Sequence, residues 1–265
     1  MRIAYLITAY RELSHLRRLH DALMEQDPGS IAYVQFDLGS PWVASAQELP
    51  FRINLTSSPI RWGDGTYVRA LIESLRDLSS QDWDWVAILS GQDYPVRPLS
   101  LLRQELETSN HRAYAPVVGR SHGLEPAPTQ LIERYMYRYR WLGTEAPLLI
   151  RAAARELDRP LQSASRARFR LQPRPREGAP GFGVRRQGTI FSDRRPCWMG
   201  PDYVVVERSM VRRLLDLLDR EPEILRYYDE TFVPSESLFT SVLRWIDAAA
   251  VADRNFHFMR FGGHA

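Results

Sequence analysis

The first hundred residues alternate short apolar runs with helix-periodic segments, and this pattern restricts the chain to few architectures. "RIAYLITAY" reads as a buried strand, and "LSHLRRLHDALM" then sets Leu13, Leu16, Leu19 and Leu23 on one helical face. "IAYVQFDLGS" is a second strand and "PFRINLTSS" a short third one. "RWGDGTYVRALIESLRDL" breaks at Gly63 and Gly65, then enters a helix with Val68, Leu71, Ile72, Leu75 and Leu78 inward. "DWDWVAILSGQDYPVRP" is a polar turn, a buried strand and a loop ended by prolines. Strands alternating with helices imply βαβ units and an α/β, Rossmann-like, mostly parallel sheet flanked by helices. Ligands of such sheets sit at the carboxyl ends of the strands. Those ends carry Thr8, Ala9, Tyr10 and Arg11, then Asp37 to Ser40, then Ser90, Gly91, Gln92 and Asp93. Residues 1–100 are therefore expected to be a nucleotide-binding half.

The remainder, 101–265, is expected to complete the same single domain. "LSLLRQELET" reads as a short helix, and "TQLIERYMYRYRWL" as a helix rich in arginine and aromatics. Between Arg151 and Pro196 there are twelve arginines against four acids, and the proline- and glycine-containing part, about 160–196, reads as a long mobile basic loop. "DYVVV" is a strand, and "ERSMVRRLLDLLDREPEIL" a helix with Met210, Leu214, Leu217 and Leu218 inward. In "TFVPSESLFTSVLRW", Leu238, Phe239, Val242, Leu243 and Ile246 line one helical face. Ser235 then reads as the N-cap, and Glu236 falls in the first turn, where free N–H groups and the helix dipole favour an acid. That placement explains Glu236 structurally without requiring any chemistry of it.

Composition narrows the class. A hydrophobic content of 44% and a charged content of 25% are those of an ordinary globular protein. The apolar runs are of strand length, so no membrane span is expected, and the N-terminal run lacks a cleavable signal pattern. One cysteine, Cys197, excludes an internal disulfide and points to a reducing compartment. All 35 basic residues are arginine, the mark of a GC-rich genome, so a cytoplasmic bacterial protein is expected. The oligomeric state is not legible. The arginine-rich loop could be a plain solvated loop, could meet an anionic substrate, or could bind nucleic acid.

Few motifs carry chemistry by themselves. Asp82 and Asp84 resemble a metal-gripping Asp-x-Asp pair, but they precede the strand and so sit at its amino end, which favours a turn role. Gln92 and Asp93 follow that strand and could accept hydrogen bonds from a ribose or sugar, although "GQDYP" also suits a tight turn. The histidines show no metal-ligand spacing, and no Walker loop, nucleophile elbow or dinucleotide fingerprint is present.

Taken in order, "RWGDGTYVRALIESLRDL", "DWDWVAILSGQDYPVRP" and "YDETFVPSESLFTSVLRW" resemble the core-2/I-branching β-1,6-N-acetylglucosaminyltransferase and peptide O-xylosyltransferase family. The resemblance runs from the first strand to about residue 260 and implies a GT-A-like fold. It also implies inverting transfer of N-acetylglucosamine, xylose or a related sugar from a UDP-sugar to an acceptor hydroxyl, without a metal or other cofactor. Residues 1–100 would then hold the nucleotide-sugar and 101–265 the acceptor and the catalytic acid. The match assigns Glu236 as general base, and a base must stand opposite the leaving nucleotide to take the acceptor proton. On the donor side it implies Thr8, Ala9, Tyr10, Arg11, Asp37, Trp62, Gly63, Gln92 and Asp93. "WMGPDYVVV" matches a further family motif loosely, which implies sugar or acceptor contacts for Asp202, Tyr203 and Trp198. The family neutralises the diphosphate with C-terminal basic residues, often an Arg-Lys pair, that this sequence does not show. Either Arg185, Arg186, Arg194 and Arg195 of the basic loop or the tail (Arg254 and Arg260, with His257 or His264) would have to substitute, or the leaving group goes unstabilised, or a metal binds at Asp93. The partners implied are a nucleotide-sugar and a small-molecule or glycan acceptor. A non-catalytic binder of nucleotide-sugar or glycan with the same fold is the alternative, and a nucleic-acid-binding protein a weaker one.

Overall fold

The computed structural model describes residues 1–121, 134–141, 169–172 and 181–258. The first apolar run is strand β1 (Ile3–Ala9), and its alternate residues enter opposite layers of the core. Ala4 and Leu6 face one layer, and Ile3, Tyr5, Ile7 and Ala9 face the other. There follow α1 (Leu13–Gln26), β2 (Ile31–Phe36), α2 (Val43–Gln47), β3 (Ile53–Leu55), α3 (Thr66–Leu78), β4 (Trp85–Ser90) and α4 (Leu99–Thr108). The chain continues through β5 (Ala113–Tyr114), β6 (Gly119–Ser121), β7 (Tyr137–Trp141), β8 (Phe169–Gln172), β9 (Gly181–Arg185), β10 (Cys197–Met199) and β11 (Val205–Glu207). Helices α5 (Arg208–Arg220), α6 (Pro222–Asp229) and α7 (Leu238–Asp247), then β12 (Val251–Ala252), complete the described elements.

The main sheet has the order β12-β5-β11-β4-β1-β2-β3. β1 runs parallel to β2 and β4, β2 runs parallel to β3, and β11 is inverted between β4 and β5. This is the expected mostly parallel α/β sheet, with helices on both faces. Leu16, Leu19 and Leu23 of α1 and Leu71, Leu75 and Leu78 of α3 are buried in opposite layers, as predicted, whereas Leu13 is only partly covered.

Four local expectations are corrected. "YRYRW" is strand β7 rather than part of a helix, because its aromatics alternate with arginines at period two and bury Tyr137 and Tyr139 on one face. It pairs with β9, where Gly181 and Gly183 leave room for the rings of Trp141 and Tyr139. The described parts of the basic stretch are likewise ordered as β8 and β9 in this three-stranded sheet, while 160–168 and 173–180 lie outside the described residues. The "DYVVV" strand begins only at Val205.

The fourth correction concerns Glu236. It lies in a short 3-10 turn, Pro234–Glu236, and α7 begins at Leu238 with Ser237 in the cap position. Ser235 is therefore not the N-cap, and Glu236 precedes the helix instead of occupying its first turn. Val233, just before the turn, has φ of 51°, a left-handed conformation that is rare for a β-branched residue. The proline that follows keeps Val233 from relaxing into a right-handed helical turn, because the Pro234 ring clashes with the preceding residue in that conformation.

Candidate active site

Register brings the strand ends together. Thr8 of β1 stands beside Ser90 of β4 and Gln35 of β2, so Thr8–Tyr10, Asp37 and Ser90–Asp93 share one edge of the sheet. Gly91 N–H donates to the Thr8 carbonyl at 2.7 Å, and Asp37 N–H to the Ala9 carbonyl at 3.0 Å. Since β11 is antiparallel to β4, the residues entering it, Asp202 and Tyr203, arrive at this same edge. The Thr8 hydroxyl is 3.3 Å from that of Tyr67, which also adjoins Asp202, and Tyr203 adjoins the Ser90 side chain. Burial pushes the Asp202 carboxyl above the usual carboxylate range, and the charge of Asp93 adds to the effect. Burial likewise raises the phenols of Tyr67 and Tyr203.

Asp93 accepts from Ser90 N–H at 2.7 Å, and its other close neighbour is His257, whose Nε2 is 3.7 Å from Oδ2. The His257 ring lies against Tyr203, is nine-tenths buried, and has both ring nitrogens unpartnered. Burial drives its pKa down against the opposing pull of Asp93. With its amide oxygen turned toward Arg11, Gln92 accepts from that guanidinium at 2.7 and 2.9 Å. Arg11 also lies over the Tyr10 ring. Asp37 spends Oδ1 on Gly39 and Ile60 N–H groups at 2.9 and 2.8 Å, so it shapes the loop after β2.

The turn bearing Glu236 joins this edge through backbone. Gly200 N–H donates to the Glu236 carbonyl at 2.9 Å, two residues before Asp202. Val233 N–H donates to the Gly63 carbonyl at 2.9 Å, and Trp62, about half exposed, stands edge-on to the Phe232 ring. Beneath the turn, Ser237 Oγ meets Tyr228 OH at 2.9 Å, Ser241 Oγ at 3.0 Å and Cys197 Sγ at 3.4 Å. The Glu236 carboxylate itself forms an ion pair with Arg134. The structure thus gathers Thr8, Asp93, Asp202, Tyr203 and, one backbone link away, Glu236.

The anion-binding candidates divide differently. Arg254 pairs with Glu105 at 2.7 Å and stacks on Phe256. Arg186 is buried against Tyr227, donates to two backbone carbonyls and sits 3.6 Å from Glu230. Arg195 is spent on Glu221 and Arg194 is exposed; Arg185 is a half-buried member of β9, and Arg260 lies outside the described residues. These pairings also consume part of the positive surface that nucleic acid would need. Trp198 is half-buried, its N–H on Ser241 and its ring under Arg244. Asp82 and Asp84 hold Arg208 and the Arg2 N–H at the amino end of β4, as their position predicted. Among the described residues, no three His, Cys, Asp or Glu side chains converge as metal ligands would, and no helix is long and apolar enough to cross a membrane.

Arg134 and Tyr67 escaped the sequence reading. Tyr67 lay in view, four residues after Gly63 in the helix that "RWGDG" leads into. Arg134 gave no signal, being one of many arginines in a segment whose period was misread.

No family model matches the chain, and no curated protein matches it. Among solved structures, Staphylococcus aureus TarS (residues 1–349) overlays 93% of this chain and 64% of its own, at 10% identity and a TM-score of 0.39. Mannosyltransferase PcManGT from Pyrobaculum calidifontis, solved with GDP-Man and Mn2+, overlays 43% of this chain and 35% of its own, at 18% identity and 0.33. Glucosyl-3-phosphoglycerate synthase from Mycobacterium tuberculosis overlays 85% and 67%, at 13% identity and 0.34.

Proposed function

We propose that this protein is an inverting glycosyltransferase that moves a sugar from a UDP-sugar to an acceptor hydroxyl. The observation that carries the reading is the backbone link between a strained, acid-bearing turn and the carboxyl edge of a parallel sheet. Strain of this kind persists where the surrounding structure enforces it, and functional sites are where it clusters. Glu236 is the base: it takes the acceptor proton as the hydroxyl oxygen attacks the anomeric carbon from the face opposite the nucleotide. Asp202, Tyr203 and Tyr67 would receive the donor sugar. Thr8–Arg11, Gln92 and Asp93 would receive the nucleotide, with Asp37 holding the neighbouring loop in shape. The transfer proceeds without a metal, as the family resemblance implies.

Thermal-shift screening against nucleotides and nucleotide-sugars tests the donor, because a ligand selective for the folded state raises Tm. UDP or a UDP-sugar is expected to give the largest shift, and a chain that no nucleotide stabilises would sink the proposal. Glu236→Gln should abolish transfer while the donor still binds; an unaltered rate would remove the base. Full activity in EDTA is expected, and loss restored by Mn2+ would overturn the metal-free step. A second reading, a nucleotide-sugar-binding protein without turnover, draws support from the Arg134 ion pair, which occupies the carboxylate that catalysis needs free. It predicts the same thermal shifts with no transfer to any acceptor.

A further inference from the structure

We propose that Arg134 is the cation that meets the donor's diphosphate, and that by changing partners it releases Glu236 to act as base. This rests on the glycosyltransferase reading above. In the resting protein the Arg134 guanidinium is held on the Glu236 carboxylate, beside the Phe232 ring, with side chains 24% and 39% exposed. The Arg134 carbonyl accepts from Phe232 N–H at 3.3 Å, so its backbone is anchored and the side chain alone is free to exchange partners. A carboxylate tied to a guanidinium is a poor proton acceptor, because the opposite charge favours its ionised form. Base catalysis at Glu236 therefore requires the pair to part.

The charge pattern at the strand ends says what would part it. Asp93 and Asp202 both face that edge, and the charge of Asp93 bears on Asp202, so a diphosphate arriving there needs a cation beside it. Arg11 already stands at this edge, on Gln92; of the other arginines, Arg61 is committed to Asp64, Arg69 to Asp229, Arg138 to Glu230 and Arg195 to Glu221. None of those acids has a part in the transfer. Arg134 differs, because its partner is the one acid that must lose its charge. As the acceptor oxygen bonds to the anomeric carbon, the bond from that carbon to the β-phosphate oxygen breaks and its electron pair stays on the phosphate. The acceptor proton passes to Glu236. Negative charge thus disappears from the carboxylate and grows on the diphosphate, which strengthens the hold of the guanidinium on the partner it took up when the donor bound. The doubly charged diphosphate outcompetes a single carboxylate, so the base is freed only when donor is bound.

Titration calorimetry with UDP as the probe separates this from a structural ion pair. Arg134→Gln should weaken UDP binding about tenfold or more, the worth of a charge-assisted hydrogen bond. Glu236→Gln should tighten UDP binding several-fold, a gain that no folding defect can imitate, because the competing carboxylate is gone. The double variant should bind as Arg134→Gln does, since the second change acts only through the first residue. Arg134→Lys, which keeps the charge, should recover part of the affinity. Unchanged UDP affinity in Glu236→Gln, or in Arg134→Gln, would overturn the exchange while leaving the transferase reading intact. Tightening that vanishes in Arg11→Gln but survives in Arg134→Gln would assign the cation to Arg11 and overturn it too. Absence of any nucleotide binding to the wild-type protein would remove both readings together.

Discussion

Gly63 is the joint between the nucleotide-side loop and the turn that carries Glu236, and replacing it with alanine separates two costs. Its φ is +86°, buried, and its carbonyl accepts the Val233 N–H at 2.9 Å. A Cβ there would lie 2.9 Å from Phe232 Cε2 and 3.3 Å from Cδ2, inside normal carbon contact. Holding an L-residue in the left-handed region costs roughly 1–2 kcal/mol. Displacing a packed ring adds about 1–3 kcal/mol of overpacking. Gly63→Ala should therefore lose about 2–5 kcal/mol, read from urea unfolding with unchanged m-value. Gly91→Ala is the control: its Cβ would meet Ala9 Cβ at 2.8 Å, but its φ is not positive, so only the packing cost of about 1–3 kcal/mol applies. Combining Gly63→Ala with Phe232→Leu should recover part of the packing cost and none of the conformational one. A loss below about 1 kcal/mol for Gly63→Ala would refute the left-handed assignment and the tight Phe232 contact together. Because Phe232 also packs beside Arg134, transfer activity should fall by more than the unfolded fraction accounts for.

Three further outcomes follow from buried groups. Asp202 has its folded pKa raised above the unfolded value, so its stabilising contribution is complete below the unfolded pKa and is lost as pH rises through the folded one. Asp202→Asn should therefore raise Tm at pH 7, with the gain fading toward the unfolded carboxylate range; a gain that grows on acidification would contradict the sign. Asp27 is almost fully buried, with Arg103 Nε at 3.1 Å and the Tyr5 hydroxyl at 3.1 Å. Arg103→Ala strands that charge and should cost about 3–5 kcal/mol in chemical denaturation. Burial pushes the Cys197 thiol up to about 12, so iodoacetamide should label it only on unfolding, and rapid native-state labelling would show the site to be open.

The parallel half of the sheet was legible because each of its strands is an apolar run flanked by turn residues, and each helix between them shows one clean apolar face. Local pattern and tertiary environment agree there, and the sequence needs nothing else. β7 was misread because a stretch such as "ERYMYRYRW" supports both periods, and what decides between them is distant. Gly181 and Gly183, forty or more residues later, provide the flat backbone on which Trp141 and Tyr139 lie. The placement of Glu236 failed for a related reason. "PSES" before an apolar face looks like a helix start, and the turn that forms instead is held by contacts from Gly63, Gly200, Cys197 and Tyr228, none of them sequence neighbours. The consequence is chemical. In a first turn, the helix dipole would favour a negative charge at Glu236; one residue before the cap, its charge partner is Arg134 instead. A dipole is fixed, whereas a side chain can leave. The misplaced residue therefore turns a permanently favoured anion into one whose basicity depends on where a single guanidinium is held, and that dependence is what a nucleotide diphosphate can exploit.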